Sequence, residues 1–580
     1  AGLSACGLAA LAWASFVHPL PRLIVGAQMR LSSGARLVVL AQSRRGYGNL
    51  SHWITVARRR APKGQYLAHA GDVEGHVPNA PFLAGLPGCF ALLLPDASQG
   101  FEALLDQAMW LKTWFDDGAR AAIALELLLR PGDDALRAMV KRVAQLSGLR
   151  IVAAGDVLMH LRSRKALQDT LTATRLKRPV SECGAALAPN AEQHLRSRAR
   201  LARLYEPEWL EHTLVVAGSC RFSLAELKYE YPQELVPTGQ TPAGHLCALT
   251  LAGLERRFPL AQCAHDEDMA RARAGASQRI EHELALIRQL DYEPYFLTVA
   301  DIVRWAREQG ILCQGRGSAA NSVVCFCLGV TEVNPREAAL LFERFISVER
   351  REPPDIDVDF EHQRREEVIQ YIYGKYGRER AALAAALITY RTRGALRDAG
   401  RALGFGIAQI DALTASLAWW DKREQLPARF REQGLDPESP RVAKWLAIAE
   451  ALRGFPRHLT QHVGGFVISR GPLSRLVPVE NAAMADRSVI QWDKDDIDAL
   501  GMMKVDVLSL GMLTAIRRTL EWVSKKRGQV FRMQDIPAED PATYAMIGRA
   551  DTIGVFQIES RAQEKLRCFA REEKLELTIP

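Results

Sequence analysis

Apolar residues in the first third of the chain fall in short runs separated by longer stretches at helical spacing. Leu23–Val25, Arg36–Leu40, Cys89–Leu94, Ala121–Leu125 and Arg150–Ala153 read as strands. Phe101–Trp114 and Asp133–Leu146 read as helices between them. That rhythm predicts a parallel α/β domain with βαβ crossovers. Farther on, basic and apolar residues alternate at helical spacing from Asn190 to Leu204, a linker passes through Tyr229–Pro232, and Gln278–Leu290 is a helical run. Gln363–Tyr376 is amphipathic, with Val368, Ile369, Ile372 and Tyr376 on one side. Arg391–Arg453 is largely helical. Gly465–Ser469, Val489–Trp492 and Met503–Leu508 are strand-like, and Met512–Lys525 is a helix with a hydrophobic face.

Composition narrows the class. At about 150 residues per domain, 580 residues predict about four domains. With 48% hydrophobic and 24% charged residues the chain is neither disordered, nor collagen-like, nor one long coiled coil. No apolar run reaches the ~18 residues of a membrane-spanning helix; Leu8–Leu20 comes nearest and is interrupted by His18 and Pro19. These features predict a soluble, cytoplasmic protein. The ten cysteines form no repeated CxxC pair, which argues against a disulfide framework or a structural zinc site. A net charge of +8 permits a polyanionic partner. The missing initiator Met, and an opening inside an apolar, helix-like stretch, predict part of a longer gene product.

The chemistry concentrates in three segments. In Pro354-Asp355-Ile356-Asp357-Val358-Asp359-Phe360, apolar residues and aspartates alternate with the period of a strand. Side chains two apart on a strand share a face at about 6.5 Å, near enough to serve one metal site. Asp355 and Asp357 are candidates to hold two hard divalent ions, with Asp359 in support. Like charges crowded together are costly without cations. A calcium loop would use Asp355, Asp357, Asp359 and Glu366 but requires glycine where Phe360 stands. A plain polar strand face is the simpler competitor.

Upstream, Gln314-Gly315-Arg316-Gly317-Ser318 precedes the apolar run Val323–Leu328. Small residues ahead of a helix let backbone N–H groups approach a phosphate, and the helix dipole favours the anion. An ordinary loop-to-helix turn fits the same residues, and no Walker lysine follows. Leu341–Phe345 reads as a helix on which Arg344 either meets a phosphate or pairs with a neighbouring glutamate. The third segment is Met503-Lys504-Val505-Asp506-Val507, where Lys504 and Asp506 share a strand face as a metal ligand beside a phosphate-neutralising cation, or as a local ion pair. His462-Val463-Gly464-Gly465 and Gln491-Trp492-Asp493-Lys494 are further loop candidates near the same site. No G-x-S-x-G elbow and no H-E-x-x-H is present, so phosphoryl transfer is the favoured class.

Taken in order, these segments resemble the bacterial C-family DNA polymerases, the polymerase III alpha subunits. The resemblance places the family's phosphate-binding Gly-Ser pair on Gly317 and Ser318, and its catalytic, metal-holding aspartates on Asp355, Asp357 and Asp506. It puts triphosphate contacts on Arg344 and Lys504 as well. Val555-Phe556-Gln557-Ile558-Glu559-Ser560 also fits. Cys313–Ser322, Arg350–Pro354, Phe360-Glu361-His362, Tyr229–Pro232 and Ala166–Thr170 are most similar to the error-prone ImuC branch, which implies translesion synthesis in damage-induced mutagenesis. It implies two Mg²⁺ ions at the palm, and as partners primer–template DNA, deoxynucleoside triphosphates, an ImuB-type protein and the sliding clamp.

The implied fold is multidomain α/β and α+β: an incomplete distorted β/α barrel of the polymerase-and-histidinol-phosphatase (PHP) type over 1–185, a linker and palm approach over 186–275, and a polymerase-beta-like palm over 276–390. A helical thumb over 391–455, the second part of the palm over 456–512 and partial fingers over 513–580 complete it. Gln28 stands at an acidic position of the family and Leu158 at a histidine, so no metal site is expected in the PHP remnant. The resemblance covers roughly the first half of such a polymerase. A non-catalytic remnant that grips DNA or partner proteins is the rival reading.

Overall fold

The computed structural model describes residues 22–232, 235–333, 356–418, 423–537, 540–556 and 558. Its strands in chain order are β1 (Gly26–Arg30), β2 (Arg36–Ala41), β3 (Cys89–Leu94), β4 (Ala121–Glu126), β5 (Arg150–Ala154), β6 (Cys313–Arg316), β7 (Asp357–Glu361), β8 (Ala381–Thr389), β9 (Pro456–Ile468), β10 (Val479–Asn481), β11 (Ser488–Ile490) and β12 (Lys504–Leu510). The chain divides into two compact units. The first comprises 1–229, 382–462 and 471–500, and the second 230–381, 463–470 and 501–580.

In the first unit the five opening strands form one sheet in the order β1-β2-β3-β4-β5. Four of the five expected strands are present; the one expected over Leu23–Val25 is not a strand, and β1 begins just after it at Gly26. The helices Phe101–Trp114 and Asp133–Ser147 supply the crossovers that keep β3, β4 and β5 parallel. The expectation of a fully parallel sheet is corrected: β1–β2 and β2–β3 are antiparallel. Only residues 31–35 join β1 to β2, too few for a crossover, and the Leu31 N–H closes the turn on the Ala35 carbonyl at 2.8 Å. β1 and β5 are the edges, so the described sheet is open rather than closed into a barrel. One face packs Leu37, Val39, Ile123 and Leu125 against Trp53, and the other packs Phe90, Ala122 and Val152 against Val216. Covering both faces explains why β3 and β4 read as continuous apolar runs.

The same unit holds the helices Thr392–Ala402, Ile407–Ser416, Leu426–Glu432 and Pro440–Leu452, as the apolar spacing predicts. They close around Trp445, fully buried, stacked on Phe405 at 4.3 Å and donating its indole N–H to the Leu396 carbonyl at 2.8 Å. The helical run expected from Asn190 is shorter and begins at Arg198. β10 pairs antiparallel with β11, which meets β8 in parallel at Val489 and Leu383.

The second unit is built on four neighbouring strand segments in the order β9-β12-β7-β6, with β9 contributing its 463–468 portion. The Arg365–Tyr376 helix buries Val368, Ile369, Ile372 and Tyr376, the side the sequence marked as apolar, and Tyr373 sets its ring edge-on to Phe466 of β9. The Glu293–Glu308 helix buries Tyr295, Phe296, Leu297, Val299, Ile302 and Val303. Val323–Cys327, Pro242–Arg257 and Glu267–Gln289 form a smaller cluster around Phe258, Ile280 and Phe326. Among the described residues no helix is long and apolar enough to cross a membrane.

Candidate active site

Strands β7 and β12 come together because each carries apolar side chains at every second position: Ile356, Val358 and Phe360 on one, Val505 and Val507 on the other, all buried. They run parallel, with Asp506 opposite Asp357 and Leu510 opposite Glu361. Opposed residues of a parallel pair project to the same face of the sheet. The flanking strands extend this row, because β9 sets Gly465 opposite Asp506 and β6 sets Arg316 opposite Asp357. Across four strands the chain thus lines up a residue without a side chain, two carboxylates and a guanidinium.

The charges on this face are compensated within it. Lys504 Nζ lies 2.5 Å from Asp506 Oδ2, and both side chains are buried. Arg316 Nε lies 3.4 Å from Asp359 Oδ2 and 3.9 Å from Asp357 Oδ2. Burial raises the Asp359 carboxyl above the ordinary aspartate range, and Arg316 partly offsets the rise. The polar-surface-strand alternative does not hold, because Asp359 is 5% exposed and Glu361 is fully buried. The ion-pair reading of Lys504 and Asp506 is correct as far as it goes, and it is compatible with a ligand role at the half-buried Asp357 beside them.

Two expected loops are strands. Cys313–Arg316 is β6, which pairs with β7, and His462–Gly465 lies within β9. His462 and Gln491–Lys494 belong to the first unit. After β6 a tight helical turn, Gly317–Asn321, leads to the Val323–Cys327 helix. Gly317 adopts φ 58° and faces open space, a backbone that side-chain-bearing residues rarely take. The sequence suggested that the following helix offers its first N–H groups to an anion, and this is corrected. The buried Glu283 carboxylate already accepts from the Val323 and Val324 N–H groups at 2.9 and 3.0 Å and from the Ser322 hydroxyl at 2.7 Å. Any phosphate contact of this segment falls to the turn itself, where Gly317 and Ser318 stand.

Three further side chains hold the site and were not anticipated. Glu283 fixes the end of the glycine turn. Glu361, one step beyond the aspartate alternation, accepts from the Leu312 N–H at 2.7 Å and from Arg517 Nε at 2.6 Å, tying β7 to the Gly511–Arg527 helix. The Tyr295 hydroxyl donates to the Lys504 carbonyl at 2.9 Å and accepts from the Ile356 N–H at 3.2 Å. Only Glu361 left a sequence signal, as the next member of the alternating acids; Glu283 and Tyr295 lie on helices far away in sequence. Asp355, Arg344 with its helix, Arg350–Pro354, and Gln557, Glu559 and Ser560 lie outside the described residues. Among the described residues no three His, Cys, Asp or Glu side chains gather as a metal cluster. The donor set nonetheless suits a hard divalent ion: oxygen ligands only, on adjacent rigid strands, with cationic side chains balancing their charge.

Comparison with known proteins supplies a family and relatives. The family model described as "Bacterial DNA polymerase III alpha NTPase domain" matches residues 244–509, and the corresponding "finger domain" model matches residues 512–574. A protein of Dechloromonas aromatica (strain RCB) named "Error-prone DNA polymerase" is 62% identical over 542 residues, covering 93% of this chain and 51% of that protein. Proteins of the same name from Azoarcus sp. (strain BH72) and Ralstonia nicotianae are 59% and 55% identical, covering 93% and 94% of this chain and 49% and 51% of their own lengths. The chain spans about half the length of these relatives.

Proposed function

The chain belongs to the bacterial DNA polymerase III alpha family, and on that premise we propose that it carries the nucleotidyl-transfer centre of an error-prone, DNA-directed DNA polymerase. The observation that carries the reading is the register of β7 and β12, which opposes Asp357 to Asp506 on one sheet face with Lys504 buried beside them. In this reading the β9-β12-β7-β6 sheet is the palm, the Thr392–Leu452 helices are the thumb, and the opening sheet is the PHP remnant.

Asp355, Asp357 and Asp506 would hold two Mg²⁺ ions. When bound, they would supply activation of the primer 3′ hydroxyl and neutralisation of charge on the leaving pyrophosphate. The chain's own residues do the rest. Gly317 and Ser318 offer a turn that a triphosphate can approach closely, and Arg344 and Lys504 supply positive charge for its oxygens. Lys504, held by Asp506, is already oriented before substrate arrives. Arg316 keeps Asp357 and Asp359 compensated, and a bidentate contact to the incoming phosphates is open to the same guanidinium.

The experiment is extension of a labelled primer–template by the 580-residue chain with Mg²⁺ and all four deoxynucleoside triphosphates, beside Asp357→Ala. Extension by the parent and none by the variant is expected, with most DNA affinity retained by both. Equal extension by both sinks the assignment of Asp357. Salt-dependent DNA binding without extension by either would favour the remnant that binds DNA. Lesion bypass, and partnership with an ImuB-type protein and the sliding clamp, belong to the same proposal. They are tested by damaged templates and by co-purification with those two proteins.

A further inference from the structure

The carboxylate pair sits on the first rung of its ladder. β7 begins at Asp357, and the pairing with β12 runs from Asp506 opposite Asp357 onward to Leu510 opposite Glu361. Ladder ends fray unless something else holds them, so the rung that must keep its geometry is the one with support from the ladder on one side only. On the other side stands the Tyr295 hydroxyl. The Tyr295 hydroxyl takes the N–H of Ile356, the residue before Asp357, and gives its own hydrogen to the carbonyl of Lys504, two residues before Asp506. A donor from one strand and an acceptor from the other, which a continued ladder would join directly, are bridged through this hydroxyl.

The bridge is rigid. The Tyr295 ring is fully buried and meets Tyr231 and Phe296 edge-on, with centroids 5.9 and 6.2 Å away. It rises from the first turn of a helix most of whose residues are buried. Its hydrogen bond to Lys504 also fixes the residue whose ammonium grips Asp506. Backbone atoms beside both carboxylates therefore share this hydroxyl as a partner.

We propose that Tyr295 is a positioning residue that sets the separation of Asp357 and Asp506 for metal binding. The inference rests on the metal-holding role proposed above and deepens it. Deleting the hydroxyl leaves the ring in its packing but frees the two strand ends to shift against each other. Outer groups that orient metal ligands commonly change affinity by about 10–100-fold when removed.

The test is Mn²⁺ binding to the whole 580-residue chain, followed by electron paramagnetic resonance without DNA or nucleotide. It uses the parent, Tyr295→Phe, Asp506→Asn, and a chain with 4-aminophenylalanine at position 295. Tyr295→Phe is expected to bind Mn²⁺ about tenfold more weakly while keeping a cooperative melt close to the parent's. The 4-aminophenylalanine chain, which restores a donor toward the Lys504 carbonyl, should recover most of the loss. Parent-like affinity in Tyr295→Phe together with loss in Asp506→Asn overturns the positioning role and leaves the metal reading standing. Parent-like affinity in Asp506→Asn removes the metal reading itself, and the inference with it. A Tyr295→Phe chain that no longer melts cooperatively also overturns the inference, because the hydroxyl would then be holding the fold rather than the carboxylates.

Discussion

Lys504 and Asp506, two residues apart on β12, form an ion pair of 2.5 Å in which both side chains are buried. Such a pair contributes little net stability compared with apolar residues of the same size, but removing one partner is costly because the other charge stays buried. Its presence is better explained by the proposed metal-holding role than by what the fold needs.

Lys504→Met should therefore destabilise the chain by about 3 kcal/mol, read by chemical denaturation. Because an ion bound beside Asp506 would replace the lost ammonium, millimolar Mg²⁺ should raise the melting temperature of the variant more than that of the parent. Equal Mg²⁺ effects in the two would argue against Asp506 as a ligand.

Gly464 shows how tightly β9 and β12 are matched. A Cβ built there would fall 2.2 Å from the Val507 carbonyl oxygen, so even alanine forces the strands apart. Gly464→Ala is expected to cost about 3 kcal/mol and to abolish primer extension along with stability. A soluble, parent-like melt would show that β9 can move away without harm.

Glu283 predicts a pH dependence. Burial raises its carboxyl to about 6, against the hydrogen bonds from Val323, Val324 and Ser322 that favour the ionised form. With the folded-state value above the unfolded one, its contribution to stability is fully present below about pH 4.5 and is lost as pH rises through 6. The melting temperature of the parent relative to Glu283→Gln should therefore fall between pH 4.5 and 6.5. A constant difference across that window would remove the assignment.

In the first unit Trp445 anchors the helical cluster through its contacts with Phe405 and Phe430 and its bond to Leu396. Trp445→Ala should cost about 3–5 kcal/mol by urea denaturation, and Trp445→Phe, which keeps most of the ring but loses the N–H donor, distinctly less.

How far the molecule could be read in advance depended on which residues carry their own signal. β3, β4, β5 and the Phe101–Trp114 helix were legible within a residue or two, since runs of apolar residues bounded by breakers leave few alternatives. The two acidic strands were legible from period-two alternation. β6 was not, because Gln314-Gly315-Arg316 has the composition of a turn and becomes a strand through its pairing with β7. β8 was hidden in the alanine-rich segment Ala381–Thr389, whose local preference is helical and is overridden where tertiary pairing and burial favour a strand. The assignments of Gly317, Ser318 and Arg344 to a triphosphate came from family resemblance, since nothing in their local spacing demands it. Glu283 and Tyr295 act through contacts that no local pattern encodes.

Because β12 follows β7 by about 150 positions, the carboxylate pair has a history during synthesis. At about 5–20 residues per second, β7 is made roughly 7–30 seconds before the strand that completes it. Throughout that interval one edge of β7 has its own hydrogen-bonding groups exposed, next to buried-type side chains such as Val358 and Phe360. The acidic residues of β7 would protect the nascent strand first, since like charges on Asp357 and Asp359 discourage a second copy from pairing there before Asp506 arrives.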